Sequence, residues 1–424
     1  MELQPPRGTL DLLPPAGSRM RALYDRAAEL ARRYGYRYVE TPGFEDTELF
    51  AMTSGRTSDV VSKEMYTFLD RGDRSLTLRP EGTAPVMRAY LHKRTEMPTP
   101  FKGYYLTRMY RFSRPQAGRY REHRQFGIEV FAEEGPAADV ETIVVGDRFL
   151  RELGLSHYRV ELNSIGDEVC RPAYREELVA FLRANRDRLR DDHRDRFEDN
   201  PLRVLDCKDE ACAAVAAEAP KIVDRLCGPC KEHFEGVREG LREEGLDASI
   251  SPTLVRGLDY YTRTAFEFVA EGLSPQQATL FGGGRYDGLA EALGGPHVPG
   301  VGYGMGLERV LLALQEEGLE PPEEPAIAAF VVALGEDGRA SGRELVRALR
   351  AAGVAADIAF EDRPLKAQLR MADRTGAAYA AILGPEELEA GEVTMRRLAD
   401  GVQERVALAD MVNWLSTRDG AEGG

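Results

Sequence analysis

Arginines crowd one short stretch of the chain, at Arg108, Arg111, Arg114, Arg119, Arg121 and Arg124, interleaved with Tyr110, Phe112, Tyr120 and Phe126. A guanidinium stays charged, grips phosphate oxygens two at a time and stacks on bases, so this set could hold a polyphosphate or a nucleic acid. A charge run on a hairpin is also commonly a solvated face, and composition alone favours that reading. Cys207, Cys212, Cys227 and Cys230 form a C-x4-C…C-x2-C pattern that suits a tetrahedral structural Zn²⁺, the alternative being four reduced thiols. Cys170 stands apart and reads as a small core residue.

Some chemistries are excluded. There is no Gly-Lys dipeptide and hence no phosphate-binding P-loop, and no His-Glu-x-x-His zinc pair. Gly302-x-Gly304-x-Gly306 lacks the glycine spacing of a dinucleotide site. Five clustered cysteines in 424 residues are too few for a secreted disulfide framework. The net charge of −15 argues against a chain coated in nucleic acid and confines any such contact to a local basic surface. With 43% apolar and 30% charged residues the chain reads as a soluble globular protein. Its longest apolar run, Ala326 to Leu334, falls well short of the roughly 18 residues of a membrane helix, and Met1 to Pro6 lacks a leader pattern. A cytoplasmic protein is expected.

The elements that must position these residues follow from periodicity. Leu23, Ala27, Leu30, Ala31 and Tyr34 trace a helical stripe, with Ser18 as N-cap and Gly35 as stop. Tyr36 to Glu40 leads into Thr41-Pro42-Gly43-Phe44-Glu45, where the proline belongs at a strand end. Tyr104 to Phe112 and Gln125 to Phe131 read as strands joined by a long polar loop that carries most of the arginines. Helical patterns cover 138–150, 172–189 and 214–241, and the last is a charged, aromatic-poor stretch typical of an insertion. Glycine-rich segments recur at 281–289 and 300–309. The acidic, proline-rich stretch 316–325 reads as a linker, which places a domain boundary near Pro325. Beyond it, strand and helix alternate as in a small α/β domain.

The order of the segments carries a resemblance. Thr41-Pro42-Gly43-Phe44-Glu45, Arg108-Met109-Tyr110-Arg111 with its loop to Arg124, and Gly302-Tyr303-Gly304-Met305-Gly306-Leu307-Glu308-Arg309 resemble, in order, the three motifs of class II aminoacyl-tRNA synthetases. Leu254-Val255-Arg256-Gly257-Leu258-Asp259-Tyr260-Tyr261 and Gly282-Gly283-Gly284-Arg285-Tyr286-Asp287-Gly288-Leu289 narrow this to the histidyl family. Arg7 to Asp11 and Thr77 to Thr83 also resemble it.

That resemblance implies an antiparallel six-stranded sheet flanked by helices over 1–325, a helical insertion at about 170–250, and an anticodon-binding α/β domain over 326–424, assembled as a homodimer. It implies activation of L-histidine with ATP and Mg²⁺ and transfer to tRNA(His). A carboxylate already ionised at neutral pH needs no base to attack the α-phosphate, so the demand on the protein is positioning and positive charge. Arg111 and Arg309 would hold the phosphates, and Arg256 would stabilise the charge that builds up in transfer. Glu81, Thr83 and Gln125 match ammonium-binding positions; Glu129, Tyr260 and Tyr261 match the imidazole side. Gln116 matches a position near the tRNA acceptor end. Ser113 departs from the class, which usually has a glutamate there to read the adenine amino group. Two rival readings are a non-catalytic histidine-sensing paralogue, the regulatory subunit of ATP phosphoribosyltransferase, and a threonyl or prolyl synthetase. Neither explains both histidyl signatures.

Overall fold

The computed structural model describes residues 3–53, 60–198, 200–205, 207, 209–255, 258, 260–274, 277–323 and 327–419. The chain forms two compact units, Met1–Glu323 and Glu324–Gly424. No helix among the described residues is long and apolar enough to cross a membrane.

In the first unit the helix Ala16–Arg33 buries Met20, Leu23, Ala27, Leu30 and Ala31, the stripe set by the sequence. Its N-cap is Pro15 without a side-chain cap, so Ser18 lies inside the first turn rather than before it. The strands are β1 (Arg37–Tyr38), β2 (Phe44–Asp46), β3 (Tyr66–Leu69), β4 (Ser75–Leu78), β5 (Phe101–Tyr110), β6 (Glu122–Phe131), β7 (Tyr158–Ser164), β8 (Ala248–Ile250), β9 (Thr262–Ala270), β10 (Thr279–Arg285) and β11 (Gly300–Gly306). The main sheet runs β1-β5-β6-β11-β10-β9-β7-β8. Its six central strands are mutually antiparallel, as expected. The expected count of six is corrected to eight because β1 and β8 add parallel edges. Strands this short carry no legible alternation.

Side chains alternate across the sheet, so Tyr104 enters one core and Tyr105 the other. The first core gathers the helices Ala16–Arg33, Pro136–Glu152 and Gly228–Glu243; the second gathers other inserted helices, among them Arg171–Ala184. The helix expected over 214–241 is two helices, Glu210–Glu218 and Gly228–Glu243. Pro220 lies in the break and Pro229 opens the second helix, since proline lacks the donor a helix interior requires.

The second unit orders β12 (Ala329–Ala333), β13 (Ala356–Ile358), β14 (Tyr379–Leu383), β15 (Glu392–Arg397) and β16 (Gln403–Ala407) as β13-β12-β14-β15-β16. The first three are parallel, with the helices Gly335–Ala351 and Leu365–Arg374 as connections. The antiparallel hairpin β15–β16 is absent from the sequence reading. Gln368 is buried, and its amide bonds both Ala333 N and Ala333 O.

Candidate active site

Antiparallel pairing sets the frame of the site: β6 pairs with β11, and β11 with β10. Opposite Glu129 stands Gly302, and Gly282 pairs with Gly304. A Cβ at Gly302 would strike the Glu129 carboxylate, and one at Gly304 would strike the Gln125 amide. The glycine-rich strands thus leave a floor without side chains. Above it lies a cavity of about 460 Å³.

The loop between β5 and β6 supplies one wall, from Arg111, Ser113, Gly118, Arg119 and Tyr120, and Arg309 closes in from the start of the helix Leu307–Glu316. Arg309 donates to Thr279 O and, from Nε at 3.3 Å, to Gly118 O, which ties it to the loop tip. Arg111 Nε donates to Pro80 O at 2.7 Å. Burial and the charges of Arg119 and Arg111 hold the Arg309 guanidinium below its usual range. Burial and Arg111, Arg309 and Arg119 push His123, on the cavity wall, down to about 3, so its ring is neutral. Arg119 Nη2 also donates to Glu64 Oε1 at 2.9 Å, yet the three guanidiniums stay close enough to repel one another, and such a cluster suits an anion with several oxygens.

Carboxylates and phenols gather at the other pole. Glu81 is buried, and its oxygens accept Thr83 N at 2.6 Å and Ala84 N at 3.0 Å, where the helix Thr83–Lys93 begins. Burial raises its pKa, against those bonds and the nearby charge of Arg111. Glu129 is fully buried beneath the cavity. Thr83 Oγ1 donates to it at 2.8 Å, Tyr105 OH at 3.4 Å, and Tyr286 OH also donates. Burial pushes this carboxyl up to about 8 despite the three hydroxyls. Tyr260, Tyr261 and Tyr286 pack edge to face or tilted, with ring centroids 4.8 to 6.0 Å apart.

Of the residues singled out from sequence, Glu81, Thr83, Gln125, Tyr260, Tyr261, Arg111, Ser113 and Arg309 line this one cavity. Glu129 lies directly below it. Gln116 is exposed at the loop tip, where it pairs with Arg119 in an isolated bridge. Arg256 lies outside the described residues. Sequence reading missed Tyr105, His123 and Glu267, which also line the cavity, and the role of Tyr286. Strand alternation flags Glu267, a lone acid between Phe266 and Phe268, but nothing marks Tyr105.

The four-cysteine zinc set is corrected. Among the described residues, Cys227 and Cys230 converge with Cys170 and Asp167, and Cys207 and Cys212 are not in that group. Cys170 is therefore not merely a core filler. The ribbon pattern C-x4-C…C-x2-C misled because Cys212 sits in the helix Glu210–Glu218 and packs into the second core.

The sequence model of the family described as "Histidyl-tRNA synthetase" matches residues 8–310, and that of "Anticodon binding domain" matches residues 328–418. The histidine–tRNA ligase of Moorella thermoacetica is 50% identical over 410 residues, covering 96% of this chain and 97% of that one. That of Saccharopolyspora erythraea is 47% identical over 408 residues, covering 96% of each. The crystal structure of apo S. aureus histidyl-tRNA synthetase superposes with a TM-score of 0.81 at 35% identity, covering 98% of this chain and all of that one. An ATP phosphoribosyltransferase regulatory subunit/histidyl-tRNA synthetase from Bacillus halodurans shares the fold, at TM-score 0.62 and 22% identity, covering 88% and 97%.

Proposed function

The chain belongs to the histidyl-tRNA synthetase family, and we propose that its cavity activates L-histidine with ATP to histidyl-adenylate and passes the histidyl group to the 3′ end of tRNA(His). The observation that carries this reading is the pairing, in one cavity, of an arginine pole with a pole of buried carboxylates and phenols.

At the arginine pole Arg111, Arg119 and Arg309 bind the phosphates. A histidine carboxylate oxygen forms a bond to the α-phosphorus as the bond to the pyrophosphate oxygen breaks. No proton moves, so the protein supplies alignment and charge. Arg111 stands between the poles and holds both the α-phosphate and the attacking carboxylate. Arg256 takes up the charge that develops there. A carboxylate of the cavity lining would hold Mg²⁺, which would supply charge neutralisation at the phosphates. Glu308 is committed to Arg124, accepting its backbone N at 2.9 Å, which makes Glu267 the better-placed carboxylate for the ion.

Glu81, Thr83 and Gln125 receive the ammonium group. Glu129 and Tyr261 face the ring nitrogens, one accepting and one donating, and Tyr260 closes the aromatic side. An amino acid that offers no ring nitrogen to Glu129 and Tyr261 forgoes those bonds inside a buried polar pocket, which discriminates against it.

Gln116 at the exposed loop tip meets the acceptor end of the tRNA, and residues 327–419 bind the anticodon. The chain acts in the cytoplasm as a homodimer. Phe44 and Phe68 are exposed and in ring contact on one face of the small sheet β2-β4-β3, an apolar patch that suits an isologous contact. The histidine-sensing paralogue is disfavoured by near full-length identity to ligases. Pyrophosphate exchange with each amino acid in turn tests the reading: only histidine should support it, and exchange with another amino acid alone would overturn it.

A further inference from the structure

Away from the cavity, one side-chain cluster joins two distant stretches of chain. Asp167, Cys170, Cys227 and Cys230 bring one oxygen and three sulfurs within 4.8 Å of one another. Cys170 Sγ lies 3.9 Å from Cys230 Sγ and 3.3 Å from Asp167 Oδ1. Cys227 Sγ lies 3.7 Å from both Asp167 oxygens. These thiols are free, and their spacing is far beyond the roughly 2.05 Å of a disulfide. Around a tetrahedral Zn²⁺ with Zn–S of about 2.3 Å, ligand atoms stand roughly 3.5 to 3.8 Å apart, close to the distances found here.

The local backbone is built for the same end. The ligands form two pairs of the same spacing, Asp167-x2-Cys170 and Cys227-x2-Cys230. Cys170 is the N-cap of Arg171–Ala184 and Cys227 that of Gly228–Glu243, so the packing of two helix starts brings these sulfurs together. Asp167 N points at Cys170 Sγ at 3.2 Å. Gly166 has φ +67, and a Cβ there would stand 2.6 Å from the same sulfur.

We propose that Asp167, Cys170, Cys227 and Cys230 form a structural Zn²⁺ site that pins the inserted helices to the segment carrying Tyr260 and Tyr261. The link is short. Arg171, next to Cys170, donates to Tyr261 O, and Arg171 Nε donates to Ile165 O at 3.1 Å. Ile165 N donates to Arg263 O at 2.7 Å, and Arg263 N to Gly166 O at 2.8 Å. The first ligand pair is therefore laced to both sides of the turn that enters β9. The ion positions the tyrosines and takes no part in catalysis. Its effect on histidine binding rests on the proposed function above; its presence does not.

The test uses the full chain, purified without chelator, then stripped under reducing conditions and titrated with Co²⁺ alone. One equivalent of zinc as purified is expected, then one of cobalt with tetrahedral visible bands and sulfur-to-cobalt charge transfer. Cys227→Ser and Cys230→Ser should lose that absorption; Cys207→Ser and Cys212→Ser should keep it. Asp167→Cys guards against misfolding of the serine variants: it should bind and raise the charge-transfer intensity by about a third, as a fourth thiolate joins three. An octahedral cobalt spectrum, no binding by folded protein, or loss in Cys207→Ser but not Cys227→Ser would overturn the site. Stripping should raise the KM for histidine about tenfold and leave that for ATP nearly unchanged. Equal KM values for histidine with and without zinc would overturn the positioning role while leaving the site intact.

Discussion

Glu129 stands where burial and hydrogen bonding oppose each other, and burial prevails. A carboxyl whose pKa rises from 4.5 to about 8 on folding binds more protons folded than unfolded. Stability then falls as pH rises through that window, which is the reverse of the usual salt-bridged acid. Glu129→Gln removes the titrating group, so above pH 8 the unliganded variant should be the more stable by on the order of 2–4 kcal/mol, with the gap closing towards pH 5. Urea denaturation across that range measures it; a gap that does not vary with pH would show that Glu129 is ionised throughout. The same variant should raise the KM for histidine by up to about a hundredfold above pH 8, where Glu129 is a charged acceptor and the amide is not, and by less at lower pH. Arg256→Ala should slow pyrophosphate exchange by about 10² to 10³, the usual contribution of one preorganised cationic donor, and a near wild-type rate would remove it from the mechanism. Ser113 lines the cavity and its carbonyl accepts Arg121 Nε at 3.3 Å. If this position faces the adenine, as the resemblance implies, its short uncharged side chain leaves the base to weaker partners. Ser113→Glu should tighten ATP binding or raise preference for ATP over GTP by up to about tenfold, read by competition in the exchange assay. Abolished activation in a folded variant would mean that this loop position does not face the base.

Among the elements, β10 and the turn after it show how a binding signature can be structural. Arg285 is fully buried, and its donors reach Asp139, Asp287, Glu133 O and Gly135 O. It fastens β10 to the helix Pro136–Glu152, while its neighbour Tyr286 turns the other way and donates to Glu129. The adjacent Gly283 and Gly284 pair with Tyr303 and Gly302 of β11. Asp139, held down to about 2 by Arg285 and His233 against its burial, would keep only His233, at 3.3 Å, without the arginine. Arg285→Met should cost about 3–5 kcal/mol of stability, and adding Asp139→Asn should recover part of it. Denaturant titration of both decides; a loss below about 1 kcal/mol would mean that water or another group satisfies Asp139.

At the scale of the whole molecule, each unit has its own core, and every described residue of the cavity falls before Glu323. A chain ending at Glu323 should keep histidine-dependent pyrophosphate exchange within about tenfold of the full chain. It should lose at least about 10² in kcat/KM for tRNA, because several base contacts of roughly 1–3 kcal/mol each go with the second unit. Exchange and charging assayed on one preparation separate the two effects; equal losses in both would mean that the first unit does not hold its site alone.

Sequence by itself determined the buried stripe of the first helix by its period, while its ordered motifs, through the family they resemble, implied the antiparallel sheet and the cavity residues Arg111, Arg309, Glu81 and Gln125. Those signals are local: a period of two or three and six-tenths, a proline, a glycine run, an ordered set of motifs. What sequence could not reach depends on which residues meet across long gaps. The edge strands β1 and β8 are fixed by partners far along the chain rather than by their own two or three residues. Tyr105 matters only because strand alternation turns it towards Gln125 and Glu129. The zinc pattern was misread for the same reason. Spacing along the chain pairs Cys207 with Cys212, whereas the packing of two helix starts brings Asp167 and Cys170 to Cys227 and Cys230, since ligand sets are decided by distances in space that loop closure alone establishes.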